Sequence, residues 1–309
     1  MLRFQAFVLA VLVGLSAILG AQTTSVRPPI TGIAKVSLYS SDLGKSQQFY
    51  GKLLGLRQID TGTVALLEYR VNSMQSIEVE PLPHGEMDDL AYVVFATSDA
   101  QALRRYLLSE KIPVEGDIQM EGNGAHFFWV KDPEGHRIQF VQVPTHAHPV
   151  PQAAKNAVPE PNQPISHHIL HAGFVVRDRA AEDHFFHDVL GFREGWRGGS
   201  REGRTDWIDM QVPDGTDWIE YMMINPATRV EPESGVANHL ALGVPDMHQA
   251  ADLLAQRHWD SAPGQEPQVG RDGKWQLNLY DPDRTRVELM EFGPVRTPCC
   301  SPYTLRPPK

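Results

Sequence analysis

IAKVSLYSSDLGKSQQFYGKLLG at 33–55 and ILHAGFVVRDRAAEDHFFHDVLG at 169–191 follow one pattern. Each begins as an apolar strand, reaches an aspartate (Asp42, Asp178), and continues as a helix that carries an aromatic pair, Phe49 with Tyr50 and Phe185 with Phe186. Each ends on Leu-Gly, at Gly55 and Gly191. Aspartate at a strand-to-helix junction caps the free N–H groups of the first turn, and glycine past the last turn adopts the left-handed conformation that stops a helix. The two copies also close alike, with WVKDPEGHRIQFVQV at 129–143 and LYDPDRTRVELMEF at 279–292, both strand, Asp-Pro turn, strand. A second strand-helix passage lies inside each copy, AYVVFATSDAQALRRYLLSEKI at 91–112 and NHLALGVPDMHQAADLLAQRH at 238–258. The chain is therefore a tandem α+β duplication with domains at 30–143 and 165–293. A Pro-rich connection covers 144–164 and a tail covers 294–309.

Composition narrows the function. Among 309 residues, 38 acidic against 28 basic give a net charge of −10, which disfavours nucleic acid as a partner. The two cysteines, Cys299 and Cys300, are neighbours, so there is neither a disulfide framework nor a CxxC zinc knuckle. Any transition-metal site must be built from His, Asp and Glu. The adjacent thiols have four readings: tail thiols with no role, a local strained bridge, a soft-metal pair, or a link between chains. The start, MLRFQAFVLAVLVGLSAILGAQTT, has Arg3 ahead of a short apolar run and small residues near Ala21. Residues 1–23 are expected to be a secretory leader, placing the mature chain in the periplasm or outside the cell with no stable membrane insertion once it is removed.

The strand-Asp-helix-Leu-Gly opening and the DPEGHRIQF or DPDRTRVEL closing, each present twice, resemble the vicinal oxygen chelate superfamily, which includes glyoxalase I, bleomycin-resistance proteins and extradiol dioxygenases. The resemblance implies paired βαβββ modules whose sheets curve around a cleft. It also implies metal ligands on defined strands. In the second domain those positions hold His171, seven before Asp178, His239, seven before Asp246, Glu288, seven after Asp281, and Glu220 in DWIEYMMI. Two imidazoles and two carboxylates suit a divalent Fe, Mn, Ni, Co or Zn ion and leave room for substrate. In the first domain the same offsets give Lys35, Glu78, Tyr92 and Gln139, a set that repels a metal, so that half is expected to be metal-free.

By resemblance the function is that of an exported, metal-dependent, glyoxalase-like lyase or isomerase acting on a small substrate, with Glu288 and Glu220 as candidate bases. One alternative is an extradiol dioxygenase using His171, His239 and Glu288. Against it, no histidine lies between His258 and Glu288, and Asn278 falls where that family's tyrosine is expected, with Tyr280 two residues off. Another is a metal-free binding protein with a cleft of Trp196, Trp207, Trp218 and Trp275. Trp196, Arg197, Arg201, Arg204, Arg271, Lys274 and Trp275 are candidate cleft residues. His146, His148, His167, His168, His184, His187, His248 and His258 are expected to be solvated. A homodimer is compatible with the sequence.

Overall fold

Each half of the chain folds into one eight-stranded sheet, and the two sheets have the same strand order. The computed structural model describes residues 26–84, 90–143, 163–223, 238–262 and 265–308. Residues 1–23, expected to be a leader, His146, His148 and most of the 144–164 connection lie outside the described residues. The first sheet comprises β1 (Ile30–Ser40), β2 (Arg57–Ile59), β3 (Leu67–Arg70), β4 (Ser76–Pro81), β5 (Leu90–Thr97), β6 (Val114–Met120), β7 (His126–Lys131) and β8 (Arg137–Gln142). The second comprises β9 (His168–Val176), β10 (Arg193–Gly198), β11 (Trp207–Gln211), β12 (Trp218–Met223), β13 (His239–Val244), β14 (Gln268–Val269), β15 (Trp275–Tyr280) and β16 (Arg286–Glu291). The orders are β2-β3-β4-β1-β5-β8-β7-β6 and β10-β11-β12-β9-β13-β16-β15-β14. Each sheet is built from two modules joined at its centre, the tandem arrangement of curved sheets that the resemblance implied.

The helices begin and end where the sequence punctuates them. α1 (Leu43–Ser46), α2 (Ala100–Ser109), α3 (Arg179–Glu182) and α4 (Met247–Gln256) are capped by Asp42, Asp99, Asp178 and Asp246, each accepting from the backbone N–H three residues on. Such a cap stabilises a helix by about 1 kcal/mol. α1 and α3 continue as π-helical turns over Gln47–Leu53 and Asp183–Val189. The backbone of Leu54 there bonds to Phe49 and that of Leu190 to Phe185, at 2.9 and 3.0 Å. The wide turn lets consecutive aromatics both bury, in edge-on pairs with centroids 5.0 and 4.9 Å apart. Gly55 and Gly191 end these segments at φ +69° and +77°, in the left-handed region.

The halves share one apolar core and exchange polar contacts. Glu134, in the Asp-Pro turn of the first domain, accepts from the backbone of Asp178 at 2.7 Å. Its counterpart Asp283 accepts from Ser40 Oγ at 2.7 Å and from the backbone of Ser41 at 3.1 Å. Each turn thus secures the strand-to-helix junction of the other domain. Gln75 bridges the central strands, donating to Ile33 O and Ile169 O and accepting from the backbone of Ile169. His168, read as solvated, instead bonds Asp217 at 2.8 Å, whose other oxygen accepts from the backbone of Ile33. His184, His187, His248 and His258 are exposed as expected. Among the described residues no helix is long and apolar enough to cross a membrane.

Candidate metal centre

Strand alternation and register bring the four predicted side chains of the second domain together. Gly173 on the central strand β9 pairs with Glu220 on β12 and with His239 on β13. Ala241 on β13 pairs with His171 on β9 and Glu288 on β16. Residues two apart on a strand share a face, so these pairings put His171, His239, Glu220 and Glu288 on the same side of the sheet.

The polar atoms converge. His171 Nε2 and His239 Nε2 are 3.0 Å apart. Glu288 Oε2 lies 3.7 Å from each, and Glu220 Oε2 lies 3.2 Å from His239 and 3.9 Å from His171. Donor atoms of His171, His239 and Glu288 all fall within 4.8 Å of one another. Both histidines are fully buried. Burial, and then the nearby charges of His239, Lys274 and Arg286, push the His171 imidazole well below its usual range, which keeps it neutral with a lone pair to offer. Facing nitrogens and adjacent carboxylates are the donor set of a divalent transition ion, and the residues present fit one.

Gly173 makes room for the second imidazole. A Cβ there would stand 2.0 Å from His239 Cε1 and Nδ1, so only glycine fits the ring's position. Trp218 packs on His171 with ring centroids 5.1 Å apart.

The two glutamates differ in charge. Burial, and then repulsion by Glu220, raise Glu288 to about 7 against the pull of Arg286. Burial also acts on Glu220, but its hydrogen bond to His239 and the charges of His239, Arg286 and Lys274 outweigh it and hold that carboxylate below the usual range. Asp209, opposite Glu220 on β11, is driven well above its ordinary value by burial and by Glu220.

Two groups at the site escaped the sequence reading, and a third was misplaced by it. Arg286 Nη2 lies 2.8 Å from the His239 ring nitrogens and 3.7 Å from Glu220. Its position in DPDRTRVEL was visible, two residues before Glu288 on the same strand face, but arginine in such a turn more often faces solvent. Asp209 gave a weaker signal, a lone acid between apolar neighbours in WIDMQ. Lys274, expected to meet substrate, is instead fully buried. It lies 3.6 Å from Asp272 and 4.3 Å over the Trp218 ring.

A cleft of ≈ 360 Å³ opens beside this cluster, lined by Trp196, Trp207, Asp209, Glu220, Arg286 and Glu288 among others. Arg271 also lines it, whereas Trp218, Arg197, Arg201, Arg204, Lys274 and Trp275 do not. Trp275 packs against His248 with ring centroids 4.8 Å apart.

The first domain repeats the register with different chemistry. Ser37 pairs with Glu78 and Tyr92, and Val94 with Lys35 and Gln139, the same pattern as in the second domain. Lys35 Nζ sits 2.9 Å from Glu78 and 3.3 Å from Glu68. Tyr92 also donates to Glu78. Burial opposes the Lys35 charge, but Glu78 and Glu68 outweigh it and hold the ammonium protonated. A resident cation occupies the place where the second domain converges its imidazoles.

A family model described as the Glyoxalase/Bleomycin resistance protein/Dioxygenase superfamily matches residues 32–140 and 156–289. No curated protein matches the sequence. Among solved structures, an extradiol ring-cleaving dioxygenase from B. fuscum superposes with a TM-score of 0.62 at 20% identity, over 91% of this chain and 74% of that one. The 2,3-dioxygenase LapB from Pseudomonas sp. KL28 gives 0.63 at 14% identity, over 91% and 98%. Homoprotocatechuate 2,3-dioxygenase from Arthrobacter globiformis gives 0.62 at 18%, over 86% and 80%.

Proposed function

Because the chain belongs to the Glyoxalase/Bleomycin resistance protein/Dioxygenase superfamily, we propose that it is a metal-dependent enzyme whose second domain moves a proton on a small substrate with two adjacent oxygens. His171, His239 and Glu288 would hold a divalent transition ion, with Glu220 the fourth ligand or the base. When bound, such an ion supplies a Lewis acid that binds the substrate oxygens and stabilises negative charge developing there. The chain's own groups do the rest. Glu220, ionised beside Arg286, accepts the proton from the carbon next to the substrate carbonyl. Asp209, whose carboxyl burial pushes well above its ordinary range, stands on the cleft wall and donates a hydrogen bond when it holds a proton. Trp196 and Trp207 give the cleft apolar walls and limit its contents to a small molecule. The apolar run behind Arg3 supports an exported setting for this enzyme.

One observation carries this reading: a second carboxylate, Glu220, stands 3.2 Å from His239 where a two-histidine, one-carboxylate triad alone would leave the position open. The rival reading is an extradiol dioxygenase, favoured by the neighbours in fold and by the His171, His239, Glu288 triad. Against it, the cleft wall holds no histidine among the described residues, and the β15 position opposite Glu288 is Asn278.

The test is to load the protein separately with Fe, Mn, Ni, Co and Zn and follow two reactions. One is deuterium exchange at the carbon beside the carbonyl across a panel of 2-hydroxy aldehydes and ketones; the other is oxygen uptake with a panel of catechols. Exchange that Glu220→Gln lowers at least about 100-fold with metal still bound supports the proposal. Oxygen uptake that survives Glu220→Gln would establish the dioxygenase, and failure to bind any ion would leave a ligand-binding protein.

A further inference from the structure

The two edges of the second sheet, β10 and β14, do not pair with each other, and the C-terminal segment crosses between them. On the β14–β15 side, the backbone N–H groups of Val295 and Cys299 donate to Gly273 O and Arg271 O, both at 2.9 Å. Arg296 Nη2 donates to Val269 O, also at 2.9 Å. On the β10 side, Trp196 Nε1 donates to Cys299 O at 3.0 Å, the backbone of Arg197 donates to Ser301 Oγ at 2.8 Å, and that of Thr304 donates to Gly195 O at 2.7 Å. Leu305 is buried against Gly195, where a Cβ would stand 2.2 Å from its side chain. Residues 294–306 therefore form a strap that ties the two margins of the cleft domain together.

The crossing point is the pair Cys299 and Cys300, joined to each other by a disulfide. Ser301 N donates to Cys299 O at 2.8 Å, and Cys300 between them sits at φ +76°. That is the positive-φ γ-turn, a rare and strained conformation for any residue other than glycine. A bond between neighbouring side chains closes a ring that includes the backbone here, so it restricts the turn from leaving that conformation.

The bridge is also exposed to attack. A second pocket, of ≈ 570 Å³, is lined by both cysteines together with Arg197, Arg204 and Arg271 against one acid, Glu202, and Arg271 Nη2 lies 3.6 Å from Cys300 Sγ. Cys300 is exposed. Cationic groups beside a sulfur draw in an attacking thiolate and stabilise the thiolate that departs. Arg271 also lines the catalytic cleft, so the strap pocket and the cleft share a wall.

We propose that Cys299–Cys300 is a thiol-exchange site for low-molecular-weight anionic thiols, and that its reduction releases the strap from the β10 margin. A thiolate of the reductant attacks Cys300 Sγ; the S–S bond breaks and its electron pair leaves on Cys299 Sγ. A second reductant thiolate attacks the mixed disulfide, freeing the Cys300 thiolate beside Arg271 and forming the reductant's own disulfide. Two electrons enter the protein, and both sulfurs take protons from water as the pH requires. With the ring open, Cys300 returns to negative φ, and the bonds from Trp196 and Arg197 to the crossing lose their alignment. The inference does not rest on the metal centre.

The experiment uses the full chain. Alkylation and mass spectrometry should find no reactive cysteine before reduction and two after it. Hydrogen exchange at Arg197, Ser301 and Thr304 should accelerate at least tenfold on reduction, with amides of β13 and β16 unchanged; the double variant C299S/C300S should exchange like the reduced protein. The rate of reduction by anionic 2-mercaptoethanesulfonate relative to neutral 2-mercaptoethanol should fall at least threefold in Arg271→Gln, which keeps the backbone oxygen that holds Cys299. Should C299S/C300S fail to fold, the reduced wild-type chain serves alone. Alkylation of both thiols without reductant, strap exchange that ignores reduction, or a thiol preference that Arg271→Gln leaves unchanged would each overturn the proposal.

Discussion

Replacing Gly173 by alanine tests whether the imidazole of His239 is held where a metal would need it. The new Cβ would lie 2.0 Å from His239 Cε1 and Nδ1, against an ordinary contact of 3.4 Å or more, so ring and strand must separate. Metal–nitrogen bonds tolerate only about 0.2 Å of error, far less than the ring must move. Losing a well-placed supporting interaction at a metal site weakens binding by about 10–100-fold, or roughly 1.4–2.7 kcal/mol, and we expect at least that loss here. The backbone itself gains, because alanine is more favourable than glycine inside a strand by about 0.5–1 kcal/mol and position 173 has no left-handed φ to protect. The assay is competition for metal against a chromophoric chelator, with far-UV circular dichroism to show that the fold persists. The double variant Gly173→Ala/His239→Ala supplies the control, since once the ring is gone the added methyl has nothing to displace and the two losses should not add. Wild-type affinity in Gly173→Ala, or full additivity in the double variant, would refute the argument.

Two further expectations concern buried charge. Lys35→Met leaves Glu78 and Glu68 without their cation and should lower stability to urea by about 3–5 kcal/mol, partly recovered on adding Glu78→Gln; equal stabilities of the single and double variants would contradict this. Glu182 is fully buried, and burial, with the charge of Asp132 next, raises it to about 9 from an ordinary 4.5. The folded state then holds a proton that the unfolded chain releases, so stability falls as pH rises from about 4.5 towards 9, by at most about 4 kcal/mol between pH 5 and 8. Glu182→Gln should flatten that slope in thermal melts across the same range, and an unchanged slope would mean that Glu182 ionises freely in the fold.

Strand, cap and turn were readable because each has a local cause. Asp42, Asp99, Asp178 and Asp246 cap helices wherever the chain is cut, and a strand leading into a capped helix fixes which face its alternate residues take. That is why, once the resemblance had implied ligands on those strands, offsets from the caps pointed to His171 and His239. Other groups depend on contacts across the sheet. Arg286 and Asp209 enter the cluster because β16 pairs with β13 and β11 with β12 in matching register, and the local signals around them, an arginine in a turn and a lone acid in WIDMQ, do not report that pairing. Lys274 looked like a cleft residue because a charge ahead of a hairpin is usually exposed, yet Trp218 and Asp272 enclose it. The tail has no periodicity at all. Its place follows from the open margins of a sheet whose edges cannot be seen until the strands are ordered.

The two domains together explain why one carries imidazoles where the other carries an ammonium. The fold places acidic side chains on adjacent strands at the same register in both halves, Glu68 with Glu78 and Asp209 with Glu220. Buried carboxylates so close together need a cation or must take up protons. The first domain supplies Lys35 from the central strand, and its pair is satisfied within the chain. In the second domain that position is His171, neutral by burial, and Glu288 adds a further acid where the first domain has Gln139. Asp209, Glu220, Asp272 and Glu288 then meet the charges of Lys274 and Arg286, four acids against two cations if all are ionised. The rise of Glu288 to about 7 and the rise of Asp209 are what crowded buried carboxylates do when they take up protons. A divalent ion between the imidazoles would balance the excess, and its arrival should displace those protons.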